Sequence, residues 1–261
     1  MEKDSLSPVL ITDNLKTRFI GQKVLYYPQL TSTMDIARQE ALRGAAEGTA
    51  VLADEQTGGR GRVKRLWLSP QGSIAISIIL YPGVINLPYL IMLASLAVAS
   101  SIEAVTGLKP SIKWPNDVLV NGKKACGILI ENKVKGKDVL YAVIGIGINV
   151  NFRPADFAGI PPTATSLAGE SGGYVSRLDL IRRLLVETEG LYLRLPDAES
   201  IYREWRSRLE TLGRKIQVKS GKTTFEGIAE SVAMDGSLLL RHSNGSSTRI
   251  VAGDVSLRNY E

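Results

Sequence analysis

The chain predicts an α+β fold, in which a mixed, mainly antiparallel sheet is packed with helices and followed by a small all-β unit. Three observations predict it. Short apolar and β-branched runs punctuated by turn residues recur across residues 23–150. Residues 87–105 are apolar nearly all round, the mark of a buried helix. After Leu212 the composition shifts to brief alternating runs separated by Gly221, Asp235-Gly236 and Asn244-Gly245, the pattern of a small β-barrel. The expected organisation is a lead-in over residues 1–22, a main domain over 23–212 and a C-terminal domain over 213–261.

Residues 23–30 read as the first strand. A helix then opens at Thr31-Ser32-Thr33, where Ser32 and Asp35 stand in a capping arrangement, and Gly44 stops it. Residues 49–53 form a strand, a basic glycine loop follows, and residues 73–80 form the next strand. Gly107 ends the buried helix. Two short strands, 112–114 and 118–120, flank Pro115-Asn116-Asp117. Asn121-Gly122 is a two-residue hairpin turn. Residues 124–132 and 139–150 pair across the turn at 135–138. Residues 178–213 are helical with a break near Pro196. Four strands then follow: 215–219, 223–232, 237–241 and 248–251.

With 261 residues and 44% hydrophobic content, a sizeable core forms and disorder is excluded. The net charge of +6 is a mild excess without a polybasic block, compatible with an anionic substrate. The single Cys126 excludes a disulfide framework and fits a reducing cytoplasm. The single His242 excludes a histidine-cluster metal site and speaks against Ser-His-Asp chemistry. Glu2 and Asp4 and the lack of a long apolar run exclude a signal peptide, and the uncharged stretch 87–102 is too short to span a membrane.

The segment Gly58-Gly59-Arg60-Gly61-Arg62-Val63-Lys64-Arg65-Leu66-Trp67 combines free backbone with four cations, which suits a polyanionic small molecule. Alone it equally fits a solvated basic loop or a nonspecific nucleic-acid contact. Lys113-Trp114-Pro115-Asn116-Asp117 presents an amide beside a carboxylate, or is an Asx turn. In the strand after Lys123-Lys124 only one lysine points inward, and Gly127 lets a ligand lie against the backbone; the alternative is an ordinary hairpin with solvated lysines. Cys126 reads as a small buried hydrophobe. Gly145 and Gly147 open space above the sheet, which Asn149 faces. No third glycine completes a dinucleotide fingerprint, and no phosphate-loop motif occurs.

Taken together, Ser32-Thr33, Gln56 with Gly59-Arg60-Gly61-Arg62 and Trp67, Lys113 to Asp117, Lys124-x-x-Gly127-Ile128-Leu129-Ile130-Glu131 and Gly145-x-Gly147-x-Asn149 resemble biotin protein ligases, in that family's order and spacing, over roughly residues 23–260. The resemblance implies a class II synthetase-like catalytic domain and an SH3-like C-terminal barrel. It implies that biotin and MgATP give biotinoyl-5′-AMP and pyrophosphate. A lysine of the biotin carboxyl carrier protein of acetyl-CoA carboxylase, or of a related carboxylase, then attacks and expels AMP.

By the same resemblance, Ser32, Thr33 and Gln56 hydrogen-bond the ureido ring, and Met34, Arg60, Gly61, Arg62, Lys124 and Gly127 complete the biotin site. Arg62, Arg65, Trp67, Asn116 and Asn149 serve ATP, Trp67 otherwise being core filling. Lys124, Arg62 and Asp117 are the catalytic expectation, with Asp117 also the ligand for Mg2+. Two departures stand out: Met34 replaces an asparagine of the best-known members, and Lys64 a glycine of some. Family members dimerise through sheet edges, so a homodimer is one expectation, although no exposed patch is legible. Only about 20 residues precede the main domain, too few for a helix-turn-helix, so a ligase without specific DNA binding is expected. The alternatives are a lipoate- or octanoate-type acyl ligase on the same fold, which needs an apolar tunnel, and a nonenzymatic nucleic-acid module with steep salt dependence.

Overall fold

Non-local pairing extends several of these elements past what local pattern suggests. The computed structural model describes residues 6–257. Inside the expected lead-in, Pro8–Thr12 forms a short helix (α1) capped by the Ser7 hydroxyl; residues 1–5 of that lead-in lie outside the described residues. Strands β1 (Val24–Leu30) and β2 (Ala50–Arg60) run parallel, and α2 (Thr33–Leu42) makes the crossover that a parallel pair requires. β2 is longer than the 49–53 expectation. It absorbs Gly58 to Arg60 of the supposed loop because β3 (Leu66–Ser69), not anticipated, pairs with it antiparallel. β4 (Ile74–Leu80) is buried at every position, as a central strand covered on both faces must be.

A 3-10 turn at Val84–Tyr89 leads into α3 (Leu90–Thr106). The stretch 87–102, read as too short to span a membrane, is part of a longer helical run, Val84–Thr106, which by length and composition alone would be able to cross one. It instead packs against the sheet and two later helices, so its all-round apolar surface is core. β5 (Pro110–Lys113) and β6 (Asp117–Val120) flank a cis Trp114–Pro115 bond. Asn121 and Gly122 take φ of 50° and 74°, the double positive values that a tight hairpin turn demands. β7 (Lys123–Lys135) and β8 (Asp138–Ile148) form the long hairpin.

The main sheet is ordered β1-β2-β4-β8-β7-β6-β5, with β3 beside β2; among its described strands the β1–β2 pair is parallel and the others antiparallel. Helices α4 (Leu167–Ser171), α5 (Arg177–Leu193) and α6 (Ala198–Ser207) follow. α3 and α5 cover one face of the sheet; α2 covers part of the other through Met34, Ala37 and Ala41 against Val51, Ile79 and Val143.

The C-terminal strands are β9 (Lys215–Ser220), β10 (Thr223–Val232), β11 (Leu238–Arg241), β12 (Ser247–Ile250) and β13 (Asp254–Leu257). The expectation of four strands missed β13, whose pairing partner is β9 rather than its chain neighbour. Their order is β12-β11-β10-β9-β13, an antiparallel sheet in which, among the described residues, no ladder joins β12 to β13. This sheet is bolted to the main one. Trp114 Nε1 donates to the Gly236 carbonyl at 2.8 Å, and the Tyr202 hydroxyl donates to the Val232 carbonyl at 2.6 Å.

Candidate active site

At the N-terminus of α2 the same sheet face opens into a cavity of about 580 Å³. Side chains at 143, 145 and 147 of β8 share one face by strand alternation. α2 lies over Val143, and Met34 packs its sulfur on Gly145, where a Cβ would come within 2.4 Å of it. Trp67 from β3 lies on Gly127 and Gly147, where added Cβ atoms would come within 2.8 Å and 2.2 Å of its ring. The glycines therefore do not leave the sheet bare, as expected from sequence; they seat Met34 and the indole. The Trp67 Nε1 is buried without a hydrogen-bond partner.

Gln56 organises the helix end. Its Oε1 accepts from the Thr33 backbone N–H at 2.8 Å and from Thr33 Oγ1 at 3.0 Å, while its Nε2 donates to Ser69 Oγ at 3.0 Å. Ser32 holds the N-cap position, but its hydroxyl makes no capping bond, so the expected Ser32–Asp35 arrangement is replaced by Gln56 reaching across from β2. The Ser32 Oγ is buried and unpaired, and Ser32 is the one predicted site residue outside the cavity lining. Thr33, Met34, Gln56, Arg60, Gly61, Arg62, Arg65, Trp67, Asn116, Asp117, Lys124, Gly127 and Asn149 all line it.

The cations arrive already partnered. Arg60 Nη2 lies 3.2 Å from Asp35 and 2.8 Å from Glu131. Arg65 pairs with Asp254 of the C-terminal sheet. Lys124 Nζ is 2.6 Å from Asp117 Oδ1 and 5.3 Å from the Trp67 ring centroid. Arg62 differs: its Nη1 donates to Asn116 Oδ1 at 3.0 Å and to the Gly253 carbonyl at 3.2 Å, both neutral acceptors. Among the described residues it is the cavity cation with no carboxylate at ion-pair distance. Burial lowers its pKa from the ordinary guanidinium value, and the more distant Asp254 and Asp117 charges oppose that. Burial also lowers the neighbouring Lys113 ammonium, against the pull of Asp117.

Backbone bonds hold these groups in place. Ile128 N donates to the Asn116 carbonyl at 3.0 Å, and Asn116 Nδ2 returns to the Ile128 carbonyl at 2.9 Å. Lys124 points inward, as one of the pair had to; Lys123 is exposed and meets Glu170 at 3.5 Å. Asn149 lines the cavity, yet its amide donates to the Thr165 carbonyl at 2.9 Å. Cys126 is fully buried and its thiol pKa is pushed far up by that burial, the behaviour expected of a packing residue.

The profile of the biotin/lipoate A/B protein ligase family matches residues 26–149, and that of the biotin protein ligase C terminal domain matches residues 211–258. The bifunctional ligase/repressor BirA of Bacillus subtilis is 38% identical over 97% of this chain and 79% of its own length. The chain belongs to the biotin protein ligase family. A biotin--[acetyl-CoA-carboxylase] ligase of Mycobacterium tuberculosis is 30% identical, over 97% of this chain and 98% of its own. The biotin protein ligase of Aquifex aeolicus, solved in complex with biotin and ATP, superimposes with a TM-score of 0.76 at 28% identity, covering 92% of this chain and 100% of that one.

Two parts of the cavity escaped the sequence reading. Residues 158–164 form a wall, pinned by Lys124 N donating to the Thr163 carbonyl and Thr165 N donating to the Lys124 carbonyl, both at 2.9 Å. Pro161-Pro162 signalled a rigid turn there but nothing about where it lies. Asp254 reaches the cavity from the C-terminal sheet and carried no local signal.

Proposed function

We propose that this chain activates biotin with ATP and transfers it to a lysine of a biotin carboxyl carrier protein. The observation that carries the reading is the convergence of Arg62 and Lys124 on one cavity whose floor is apolar and whose far end offers Thr33 and Gln56. The biotin carboxylate must attack the α-phosphate, so two anions must meet. Fixed cations in a partly dry cavity lower that repulsion and stabilise the charge gathering in the transition state. A new C–O–P linkage forms and pyrophosphate leaves. The carrier lysine then attacks the acyl carbon, an amide bond forms, and AMP leaves with the acyl oxygen.

In this reading the neutral ureido ring is matched by neutral polar partners at Thr33 and Gln56, with Ser32 behind them and Met34 supplying an apolar contact. Arg60 and the Gly61 backbone border the biotin carboxylate. Arg62, Asn116 and Arg65 face the nucleotide, and Trp67 offers its indole to the adenine side. Asp117 accepts the proton shed by the attacking lysine; the single histidine, His242, is not among the lining residues, and its ring nitrogens meet the Glu226 carbonyl and Thr248 Oγ1 instead. We assign adenylation to residues 23–212 and closure of the cavity to 213–261.

Magnesium prefers six oxygens, keeps several waters and takes one or two carboxylates plus substrate phosphates. Asp117 brings a single carboxylate, and among the described residues no group of three metal-binding side chains exists. This donor set suits Mg2+ carried in on ATP, with Asp117 as the residue that would meet it. The free, buried Cys126 is compatible with a reducing cytoplasm. Repression belongs to the Bacillus relative's name, and we propose the ligase half only; a gel shift with operator DNA tests that.

The deciding experiment is incubation with biotin, MgATP and a carrier domain, followed by mass measurement. A carrier mass increased by one biotinoyl group supports the reading. Preferential use of lipoate in competition would move the protein to the acyl-ligase alternative.

A further inference from the structure

We propose that Asp254, with the Gly253 carbonyl, is a positioning group that clasps the 61–65 turn over the cavity and so sets how long the adenylate is retained. The inference rests on the proposed function and deepens it. Asp254 is the residue by which the C-terminal sheet lines the cavity. Two adjacent positions of that sheet hold two cations of one short turn: the Asp254 carboxylate holds Arg65, and the Gly253 carbonyl accepts from Arg62 Nη1 at 3.2 Å.

The turn needs an outside hold. It closes on itself through Gly61 N to the Arg65 carbonyl at 2.8 Å and Arg65 N to the Arg62 carbonyl at 3.1 Å. At its tip Val63 sits at φ 54° and ψ 39°, left-handed backbone that a β-branched residue resists, and the residue is 75% exposed, so little burial offsets the strain. The clasp itself is firmly based. A Cβ on Gly253 would come within 2.6 Å of Val218 Cγ1, and Asp254 is in register with Lys219 of β9.

The strength of the hold suits a part that opens every turnover. Arg65 is 64% exposed and Asp254 29%, and so exposed a pair is weak. In this reading Asp254 touches neither the nucleotide nor the reacting atoms; it acts through the placement of Arg62 and Arg65.

The test uses the full chain and the variants Asp254→Asn, Arg65→Asp, Asp254→Arg and the double charge swap. Two readouts are taken: the dissociation rate of biotinoyl-5′-AMP, and the rate of tryptic cleavage after Arg62 and Lys64, sites that every variant keeps. Asp254→Asn and Arg65→Asp are expected to speed both by about fivefold, and the swap to return both toward wild type. Unchanged cleavage in Asp254→Asn, or a swap no better than its single parents, overturns the clasp. If the wild type forms no adenylate, the proposed function falls on its own, and the cleavage rates still decide whether Asp254 holds the turn.

Discussion

The indole of Trp67 occupies the space that a side chain on Gly147 would need: an added Cβ would stand 2.2 Å from Nε1 and 2.5 Å from Cε2. Strand β8 is a hydrogen-bonded interior strand between β4 and β7, so the ring and not the backbone must yield. Gly147→Ala is therefore expected to displace Trp67, at about 1–3 kcal/mol of stability. Trp114 and Trp205 are both 1% exposed, so a shift in tryptophan emission would report Trp67. An unaltered emission spectrum in a folded Gly147→Ala protein would show that the ring does not depend on the glycine.

Lys124→Ala removes the cation nearest Asp117 and leaves that carboxylate without its partner at 2.6 Å. Adenylate formation is expected to fall by about 10²–10³-fold, the scale on which one preorganised charge acts. Pyrophosphate release from biotin and MgATP measures it directly. Release at the wild-type rate would remove Lys124 from the chemistry.

Arg62→Gly deletes the cavity cation that has no direct carboxylate, and also the bond to Asn116. An anion held there loses the lining cation that is not already paired with a carboxylate, among the described residues. Retention of labelled biotinoyl-5′-AMP after rapid filtration should drop at least about tenfold, one charge-assisted hydrogen bond's worth. Equal retention would count against Arg62 as the anion-holding residue.

Glu170 ties the hairpin turn to the cavity wall. It accepts from Thr165 Oγ1 at 2.5 Å, Asn121 Nδ2 at 2.7 Å and Lys123 at 3.5 Å. Those bonds, Thr165 first, hold its carboxyl below the ordinary glutamate value. A depressed carboxyl contributes stability that is present above the unfolded value and lost as pH falls through the folded one. The melting-temperature gap between wild type and Glu170→Gln should thus be full at pH 7 and close as the pH drops below about 4. A gap independent of pH would mean that charge is not what Glu170 contributes.

Particular elements show how far local pattern reached. The Asn121-Gly122 turn, the apolar helix and the β7–β8 hairpin were legible because each depends on backbone preference or on residues close in sequence. β3 and β13 were not, being four-residue strands whose pairing comes from a partner across a turn or from β9, thirty-odd positions back. The capping of α2 misled for a related reason: Gln56, not Ser32, satisfies the Thr33 N–H, and Gln56 lies 23 positions away.

By itself the sequence determined the buried helix, the hairpins and most strands of the main sheet, which follow from hydrophobic periodicity and turn chemistry acting over a few residues. The residues expected at the site came from their likeness to the biotin protein ligase motifs, and all but Ser32 line the cavity. Only the tertiary structure decided what each charge faces: Arg60 between Asp35 and Glu131, Lys124 against Asp117 and over Trp67, Arg65 with Asp254, and Arg62 with no carboxylate beside it. Charge pairing depends on distance and solvent exposure, and both are set when strands remote in the chain come together.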